Sequence, residues 1–329
     1  MPDVPTTDAA VRWHPLDSTS PDALAPSAAH VLARVDHRPD TQWFNCPLPS
    51  LGGDFDSEFW TVDTEVTHGE AHGWAYSCSD RIAFATRHID DGGCLDNPQA
   101  IQQAAFDAYT QLFALQRTLG LAHVQRVWHW LSGVTAGKGD DQRYKRFCRG
   151  RAEALDMPDH GMTTLPPATL VTGHQRGVRM HVLIGDQPFT PVENPRQISA
   201  YDYPRQYGAR APAFARAGRV DLAGTPYFLI SGTASIIGHE SRHVDDVAAQ
   251  THEALDNLVA VMKSANAWDE DKGLATLECL KAYVRDPDDA AAILAITRAR
   301  APGVPVALLH APLCREELLI EFEAQMPMA

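Results

Sequence analysis

The feature that most constrains the fold of this 329-residue chain is a repeated order of predicted secondary-structure elements. Apolar alternation and helix-end signals predict the order β-α-β-α-β-β in the first half, and the second half repeats it after about 120 residues. A unit with this order covers one face of its sheet with two helices and leaves the other face to pack against a neighbour. The repeat therefore predicts an α+β fold with two such units in one chain.

Helix ends are the clearest landmarks of the repeat. Asn97 and Pro98 form an N-cap followed by a proline in the first turn, and Gly120 is a suitable terminal glycine, so a helix is predicted between them. Further helices are predicted at residues 144–155, at 247–262 and from 286 to about 300. Strands are predicted at residues 30–37, 59–66, 81–87, 124–131, 168–172, 178–184, 226–237, 274–284, 304–310 and 317–324.

These elements divide the chain into four parts. Residues 1–55, which start with a stretch rich in proline, serine, threonine and aspartate, are predicted to form an N-terminal arm with short strands. The first unit is placed at residues 56–190 and the second at residues 224–329. Residues 191–223 form a central segment between the two units that is rich in arginine and tyrosine.

Within the central segment, residues 194–216 read NPRQISAYDYPRQYGARAPAFAR and hold four arginines and three tyrosines. No helical or alternating apolar period runs through them, and the prolines and the glycine favour one irregular backbone shape. Guanidinium groups bind carboxylates through paired hydrogen bonds, so the stretch predicts a pocket wall for a small anion. The alternative is a long surface loop with solvated arginines. Because the net charge of the chain is −14, an anionic ligand would need such a locally positive pocket.

The last predicted strand carries two acids on one face. With a period of two, Leu318, Ile320 and Phe322 point to the core, whereas Glu321 and Glu323 point to the other side. Both carboxylates could simply be solvated. If their face lines a cleft instead, burial and the like-charged neighbour raise the pKa of one acid enough for it to donate a proton near neutral pH.

His239, Glu240 and His243 form a literal HExxH sequence, which in zinc proteases lies on a helix with both imidazoles on one face. Here the sequence follows a predicted strand and precedes the next helix, and no third ligand follows at a familiar spacing. A zinc hydrolase is kept as an alternative, and the main prediction contains no metal ion.

Composition and targeting signals exclude several classes of protein. The acidic net charge argues against nucleic-acid and anionic-membrane partners, which require basic surfaces. The six cysteines form no CxxC pair, and the N-terminus has no basic region followed by an apolar run. No apolar stretch reaches the roughly 18 residues of a membrane span. The sequence therefore predicts a reduced, cytoplasmic protein.

Residues 224–262, GTPYFLISGTASIIGHESRHVDDVAAQTHEALDNLVAVM, and residues 305–324 resemble the RidA (YjgF) superfamily. That superfamily has the β-α-β-α-β-β unit, a chorismate-mutase-like fold, and packs as trimers with clefts between units. The resemblance implies pseudo-trimer-like packing of two units, with the N-terminal portion supplying part of a third. Together with SGTAS at residues 231–235, the arginine- and tyrosine-rich motif resembles the chorismatases. These enzymes hydrolyse chorismate or convert it to hydroxybenzoates with loss of pyruvate.

Four positions refine this resemblance. RidA-type imine deaminases carry an arginine where this chain has Thr169 and Ala307, so deaminase chemistry is not implied. Gly232 and Cys314 match the hydroxybenzoate-forming chorismatases, whereas the purely hydrolytic kind usually has a larger residue than glycine and no such cysteine. The resemblance therefore implies 3-hydroxybenzoate as the product, with 4-hydroxybenzoate as a second product that some relatives make. A hydrolase that forms a dihydroxycyclohexadiene carboxylate is the alternative.

The same resemblance places the catalytic glutamate at Glu321 and gives Cys314 a role in shaping or assisting the ring chemistry. Protonation of the terminal methylene of the enolpyruvyl ether yields an oxocarbenium ion, and a buried neutral carboxylic acid is a suitable donor. The ring's own 4-hydroxyl then displaces pyruvate, and the resulting arene oxide opens to 3-hydroxybenzoate. The substrate-binding positions that the resemblance implies are Arg151, Tyr203, Tyr207, Arg210, Arg216 and Gly232.

Arginine suits this substrate because chorismate carries two carboxylates with which guanidinium groups can pair. Within the central segment Arg210 and Arg216 are the favoured substrate contacts, and Arg196 and Arg205 are equally compatible with structural roles. The resemblance implies no metal or organic cofactor, chorismate as the partner, and a monomer or small homo-oligomer. A RidA-like protein that binds a metabolite without turnover is a further alternative.

Overall fold

The computed structural model describes residues 11–16, 30–36, 44–45, 48–92, 97–158 and 162–328. Within these ranges the chain forms four α-helices and nineteen strands. The helices are α1 (Pro98–Leu119), α2 (Arg143–Leu155), α3 (Val247–Ser264) and α4 (Ala290–Arg300). The strands are β1 (Val11–Leu16), β2 (Val31–Asp36), β3 (Phe44–Asn45), β4 (Ser50–Gly53), β5 (Ser57–Val62), β6 (Thr67–Ala71), β7 (Trp74–Cys78), β8 (Ile82–Ile89), β9 (His123–Leu131), β10 (Ala168–Val171), β11 (Val178–Gly185), β12 (Thr190–Val192), β13 (Ala217–Leu222), β14 (Thr225–Ala234), β15 (Ile236–Ile237), β16 (Glu240–Ser241), β17 (Cys279–Val284), β18 (Val306–His310) and β19 (Ile320–Pro327).

The strands form three main sheets. The N-terminal sheet has the order β1-β5-β2-β3, and the first unit has a six-stranded sheet of order β10-β9-β11-β8-β7-β6. The second unit has a seven-stranded sheet of order β12-β13-β14-β19-β17-β18-β4, and β15 pairs with β16 in a short ladder. Each unit contains one parallel pair, β9 with β10 and β17 with β18, beside antiparallel strands. The predicted α+β fold with two related units is confirmed.

Local sequence decides where the helices begin and end. Asn97 caps α1 by accepting a hydrogen bond from the Ala100 amide, and Gly120 ends the helix in the left-handed region at φ 69°. Asp246 caps α3 in the same way, accepting from the Ala249 amide. α1 and α2 cover one face of the first unit's sheet, and α3 and α4 cover one face of the second. None of the helices in the described ranges is long and apolar enough to cross a membrane.

A further apolar core lies where the uncovered faces of the three sheets meet. Trp60 reaches it from the N-terminal sheet, Trp128 from the first unit and Tyr283 from the second, and all three are buried. The N-terminal sheet thus supplies a third wall around a shared interior, which is the packing that the resemblance implies.

Strand β19 has the predicted alternation. Ile320 and Phe322 are fully buried beneath the helices of the second unit. Glu321 and Glu323 lie on the opposite face, and their exposed fractions are only 6% and 5%. Their face is therefore buried between the units, and the alternative of two solvated carboxylates is wrong.

The sheets divide the chain differently from the predicted boundaries. β5, which the sequence places in the first unit, pairs with β1 and β2 and so belongs to the N-terminal sheet. β12 is a strand of the second unit's sheet, and so is β13, which joins β14 through Ala223 and Gly224, both with positive φ. β4 from the predicted N-terminal arm pairs with β18. These pairings depend on distant partners and on short or polar strands, which hydrophobic periodicity does not reveal.

Candidate active site

A cavity of about 310 Å³, the main cavity, opens where the two units meet the central segment. Its lining comes from β14, β19, the β18–β19 loop, the start of α2 and the central segment. A smaller inner recess of about 40 Å³ shares five lining residues with it and reaches into the first unit. The shared residues are Tyr144, Phe214, Gly232, Cys314 and Glu321.

Glu321 borders both spaces and is the buried acid of the site. Its carboxyl group makes no hydrogen bond or ion pair with any other residue in the described part of the chain. Burial, and next the charge of Glu323, raise the pKa of Glu321 to about 8, although Arg126 and Arg216 act in the opposite direction. At neutral pH such an acid keeps its proton and can donate it.

Gly232 leaves the room that this acid occupies. The β14–β19 register shifts between Ile230 and Thr233, so Gly232 lies at an irregularity of the ladder. A Cβ atom at position 232 would overlap Oε1 of Glu321 and would lie 3.3 Å from Cγ2 of Thr169. Any larger side chain at this position must therefore displace the carboxyl group.

The central segment has the irregular shape that its prolines predict. Two short 3-10 turns, Ala200–Asp202 and Arg205–Tyr207, are separated by the extended Pro204. Tyr203 and Tyr207 line the main cavity, with their ring centroids 5.3 Å apart. Both tyrosines therefore lie where the resemblance places substrate contacts.

Arg216 is the arginine of the central segment that lines the main cavity. Its Nη2 atom donates to the Ile198 carbonyl at 2.9 Å and to the Tyr203 hydroxyl at 2.7 Å. Its Nε is buried and has no hydrogen-bond partner in the described ranges, and the guanidinium group forms no ion pair there, although its charge acts to lower the pKa of Glu193 and of Glu321. The cation is thus held in place with bonding capacity left for an anion.

Arg210 lies outside the cavity, and its prediction as a substrate contact is corrected. Its side chain is 45% exposed and forms a bidentate pair with Asp156, with distances of 2.7 Å from Nη1 and 2.9 Å from Nη2. Spacing along the chain could not decide this direction, because an irregular backbone has no fixed period. The remaining arginines of the segment, Arg196 and Arg205, pair with Glu253 and Asp140.

Arg315 also lines the main cavity, and no motif in the sequence marks it as a candidate. Its guanidinium carbon lies 4.0 Å from the ring centroid of Tyr207, a cation–π contact. Its Nη1 donates to the His239 carbonyl at 2.9 Å and to the Ser241 hydroxyl at 3.1 Å. The one sequence signal that points to it is its position directly after Cys314 in the loop before the last strand.

Arg151 is the cation of the inner recess, where α2 places it with 3% exposure. Its Nη2 lies 3.8 Å from Sγ of Cys148, and its Nε has no hydrogen-bond partner in the part of the chain that the structure describes. No carboxylate in that part pairs with it. A buried guanidinium without a counter-charge costs free energy, so the recess suits an anionic group.

His129 borders the same recess as a neutral group. Its Nδ1 lies 2.9 Å from the Thr169 carbonyl and its Nε2 lies 2.8 Å from the Tyr109 hydroxyl. Nδ1–H therefore donates to the carbonyl, and Nε2 accepts from the hydroxyl. Burial, and next the charge of Arg151, lower the pKa of His129 to about 3. The ring is therefore neutral near neutral pH and has no imidazolium proton to donate.

Cys314 lies in the β18–β19 loop, whose shape is held by Arg285. That guanidinium donates to the carbonyls of Arg315 and Leu318, each at 2.6 Å. Burial, and next the charge of Glu321, raise the pKa of the Cys314 thiol to about 12. The sulfur is therefore a neutral thiol that can contact a bound ring but is a poor nucleophile.

The HExxH residues do not lie on a helix. Glu240 belongs to the two-residue strand β16. His239 Nδ1 lies 3.3 Å from the Tyr207 hydroxyl, whereas His243 Nε2 lies 3.4 Å from Oε2 of Glu253. Across the described ranges, no three side chains of His, Cys, Asp or Glu are grouped so that they could hold a metal ion. The helical geometry that this motif needs is absent here.

Fold and site together define an α+β protein with a protonated buried acid and carboxylate-free arginines in a cavity between two units. The family model described as "Chorismatase FkbO/Hyg5-like, N-terminal" matches residues 58–184. A "3-hydroxybenzoate synthase" from Streptomyces hygroscopicus is 33% identical over 279 residues, which cover 81% of this chain and 80% of the relative. A "Chorismatase" from Streptomyces rapamycinicus is 33% identical and covers 81% of each chain. A crystal structure of a chorismatase matches with a TM-score of 0.81 and 29% identity, covering 97% of this chain and 98% of the other. The chain belongs to the chorismatase family.

Proposed function

We propose that this protein is a chorismatase that converts chorismate to 3-hydroxybenzoate and pyruvate. One observation carries the proposal: Glu321, whose pKa is raised to about 8, borders a cavity whose lining arginines have no carboxylate partner in the described ranges. A dicarboxylate with an acid-labile ether needs this combination of cations and a proton donor. The relative named 3-hydroxybenzoate synthase supports the choice of product.

The arginines divide between the two spaces that meet at Glu321. Arg151 lies in the inner recess, and Arg216 and Arg315 lie in the main cavity. If a substrate places one carboxylate in each space, the middle of the substrate lies beside Glu321. Pairing with these groups would fix the enolpyruvyl side chain beside the proton donor, which is the main benefit of such anchoring.

Glu321 then starts the reaction by transferring its proton to the terminal methylene carbon of the enolpyruvyl ether. The electron pair of the carbon–carbon double bond forms the new C–H bond, and the positive charge is shared with the ether oxygen. The ring's 4-hydroxyl oxygen attacks the ether-bearing carbon, pyruvate leaves with the ether oxygen, and the hydroxyl proton returns to the Glu321 carboxylate. The resulting arene oxide opens by breaking the bond between its oxygen and C4, so the oxygen stays on C3. C3 then loses its hydrogen as a proton, the oxygen takes up a proton, and 3-hydroxybenzoate is formed. Chorismate contains the atoms of both products, so the balance requires neither water nor an oxidant.

Gly232 and Cys314 favour the hydroxybenzoate over the dihydrodiol. Both border the junction of the two spaces, where the glycine leaves the carboxyl group undisplaced and the cysteine presents a neutral thiol. Hydrolysis would instead need a water molecule at the oxocarbenium carbon of the side chain, where its addition gives a hemiketal that breaks down to pyruvate and the ring diol. We propose that the shape of this junction favours attack by the substrate's own hydroxyl, and that a second orientation of the bound substrate gives 4-hydroxybenzoate as a minor product.

The test is product analysis with purified protein and chorismate. Pyruvate is followed by a coupled reduction, and the ring products are separated against 3-hydroxybenzoate, 4-hydroxybenzoate and the dihydrodiol. We expect equal amounts of pyruvate and hydroxybenzoate. Binding of chorismate without pyruvate release would overturn the proposal and support a metabolite-binding protein. A dihydrodiol as the sole product would overturn the product assignment alone.

The zinc-hydrolase alternative is separated by a chelator. We expect the rate of pyruvate release to be the same before and after incubation with a chelator, and loss of that activity would reinstate His239 and His243 as ligands. A cytoplasmic location and a monomeric or small homo-oligomeric state stay predictions, and sedimentation of the active protein tests the second.

A further inference from the structure

Glu323 is a buried carboxylate outside the cavity lining whose two oxygens are surrounded by donors. All five contacts fall between 2.8 and 3.2 Å. The contacting side chains are Trp128 and Lys281 on Oε1, and Arg126, Thr169 and Tyr283 on Oε2. Such complete bonding of both oxygens favours the ionised form.

Glu323 belongs to a set of four buried charges, the core charge cluster of Glu58, Arg126, Lys281 and Glu323. Lys281 Nζ pairs with Glu58 at 2.6 Å and with Glu323 at 3.2 Å, and Arg126 pairs with Glu323 at 3.0 Å. No member is more than 5% exposed. Two carboxylates and two cations make the cluster electrically neutral.

The cluster needs all three sheets. Glu58 comes from β5 of the N-terminal sheet, Arg126 from β9 of the first unit, and Lys281 and Glu323 from β17 and β19 of the second. The outer oxygen of Glu58 accepts a further hydrogen bond from Nε1 of Trp13 at 2.6 Å. The N-terminal sheet therefore supplies a charge to a network that ends beside the active site.

Opposed pKa shifts agree with this geometry. Burial acts against ionisation of Glu323, but Lys281 and then Arg126 outweigh it and lower the pKa of Glu323 to about 2. Burial also acts against the charge of Lys281, yet Glu58 and Glu323 raise the pKa of that lysine above its ordinary value. Both groups therefore stay charged at neutral pH.

The cluster is joined directly to the site of the acid. Glu321 and Glu323 are two residues apart on the same face of β19. The Thr169 hydroxyl donates to Glu323 at 2.8 Å and accepts from the Gly232 amide at 3.0 Å, which ties the cluster to the strand beside the acid. Within the cluster, the charge of Glu323 raises the pKa of Glu321 and the charge of Arg126 lowers it, so removal of the Glu323 charge leaves the opposing cation unbalanced.

We propose that Glu323 is a positioning residue of the reaction, which, as part of the core charge cluster, keeps the neighbouring Glu321 protonated and directed into the cavity. The inference rests on the proposed function of Glu321 as proton donor. It adds Glu58, Lys281 and Arg126 as supporting groups that never touch the substrate.

Other charged or titratable groups also face Glu321 and contribute to the pH dependence of its protonation. The groups on elements packed around it are Arg126 and His129 of β9, Tyr144, Lys145 and Arg151 of α2, Tyr203, Tyr207 and Arg216 of the central segment, Lys281 and Tyr283 of β17, Cys314, Arg315, Glu316 and Glu317 of the β18–β19 loop, and Glu323 of β19. His129, with its pKa near 3, and the Cys314 thiol, with its pKa near 12, do not change charge near neutrality. Loss of pyruvate release as the pH rises through about 8 is therefore expected to report Glu321.

The variant Glu323→Gln tests the proposal through the pH profile of kcat. Removing this charge leaves the cluster with a net positive charge, which favours ionised Glu321. We expect the pH at which kcat falls to move down by about 1–2 units, with activity recovered at lower pH. A lower rate at every pH with an unmoved midpoint is the mark of a merely structural role and would overturn the proposal, as would a shift to higher pH.

Glu323→Asp is the matched control, because it keeps the charge and shortens the side chain. We expect its midpoint to lie closer to that of the wild type than to that of Glu323→Gln. A midpoint equal to that of the Gln variant would show that length, and not charge, is responsible.

A second pair of variants covers the case in which Glu323→Gln does not fold. Glu58→Gln also leaves one cation unbalanced, but farther from Glu321, so a smaller shift in the same direction is expected. Adding Lys281→Met restores neutrality and is expected to bring the midpoint back towards the wild type. If the midpoint of Glu58→Gln is unshifted, or if that of the double variant lies at still lower pH, the core charge cluster is not what sets the pKa of Glu321.

Direct titration separates this inference from the proposed function. If the wild type releases no pyruvate, the proposed function fails, and ¹³C-carboxyl NMR still follows Glu321, whose signal is absent from Glu321→Gln. We expect Glu321 to titrate at lower pH in the Glu323→Gln or Glu58→Gln variant than in the wild type. An unchanged midpoint in the NMR titration overturns the inference regardless of activity.

Discussion

Two acids on the inward face of β19, Glu323 towards the core and Glu321 towards the cavity, differ in what surrounds their carboxylates. On the core side, Glu323 has five donor side chains around it and a pKa lowered to about 2. On the cavity side, Glu321 has no hydrogen-bond donor in the described ranges and a pKa raised to about 8. Their exposed fractions, 5% and 6%, are almost equal. Depth of burial therefore does not decide which acid keeps its proton; the supply of donors and cations does.

The two acids differ in their hydrogen-bond donors and cations because different strands lie beside them. Strands β9, β10 and β17 bring an arginine, a threonine and a lysine to Glu323. Beside Glu321, β14 brings Gly232, which has no side chain, and the cavity opens there instead. One strand thus holds an ionised acid and a protonated acid, the proposed proton donor, two residues apart.

Removing the reactive acid should have the largest effect. Glu321→Gln keeps the shape of the side chain but cannot donate a carboxylic proton, so pyruvate release should fall by about 10²- to 10⁴-fold. The measurement is kcat for pyruvate release at pH 7. Near-normal turnover would show that Glu321 is not the proton donor, and the proposed difference in role between Glu321 and Glu323 would be wrong.

Two controls accompany this variant. Glu316→Gln changes an exposed acid at the cavity mouth and should keep nearly full activity. The folded state holds the Glu321 proton to a higher pH than the unfolded chain, so the wild type loses stability as the pH rises from about 4.5 to about 8. Glutamine does not titrate, so Glu321→Gln does not lose stability in this way as the pH rises. Its melting temperature at pH 8 should therefore be at least that of the wild type.

Filling the space at Gly232 should have the next largest effect. The Cβ of Gly232→Ala would overlap Oε1 of Glu321, and displacement of a reacting group by about 1 Å can cost roughly 10²-fold in rate. Product analysis is measured alongside the rate, because a displaced acid also opens the junction to water. A variant with unchanged rate and products would show that position 232 tolerates a side chain.

A double-mutant cycle shows whether the clash is with the acid. Glu321→Asp withdraws the carboxyl group by one methylene, so it should cost less in the Gly232→Ala background than in the wild type. Purely additive losses would place the effect of the alanine elsewhere.

Removing a cavity arginine should act mainly on binding. Arg151→Gln removes a charge-assisted contact to a substrate carboxylate, so KM should rise by about 10- to 100-fold. Arg210→Gln is the matched control, because its exposed pair with Asp156 lies outside the cavity and its loss should change KM less than about 2-fold. Equal effects of the two variants would contradict the assignment of the inner recess as an anion site.

The smallest rate effect is expected for Cys314→Ala. A neutral thiol offers one weak contact, so pyruvate release should fall less than about 10-fold, while the ratio of 3- to 4-hydroxybenzoate changes. Chromatography of both acids checks this. An unchanged ratio would limit Cys314 to packing.

Much of the fold was within reach of the sequence because its signals are local. The caps at Asn97 and Gly120, the alternation of residues 318–323 and the irregular, proline-bearing central segment are each set by neighbours in the chain. The repeat of these elements then fixed the α+β class. The edge strand β12 and the hairpin of β6 and β7 carried no comparable signal, because they are short or polar.

For the site, the sequence by itself predicted one inward acid, a set of arginines and a glycine as the residues of a pocket for a small anion. Only the tertiary structure decided which members face the cavity: it turned Arg210 outward and brought in Arg315. It also decided that Glu321, and not Glu323, keeps the proton, because the donors that ionise Glu323 come from residues up to 197 positions away along the chain. Period and spacing describe neighbours in sequence, whereas the pKa of a buried acid depends on charges that only folding brings near it.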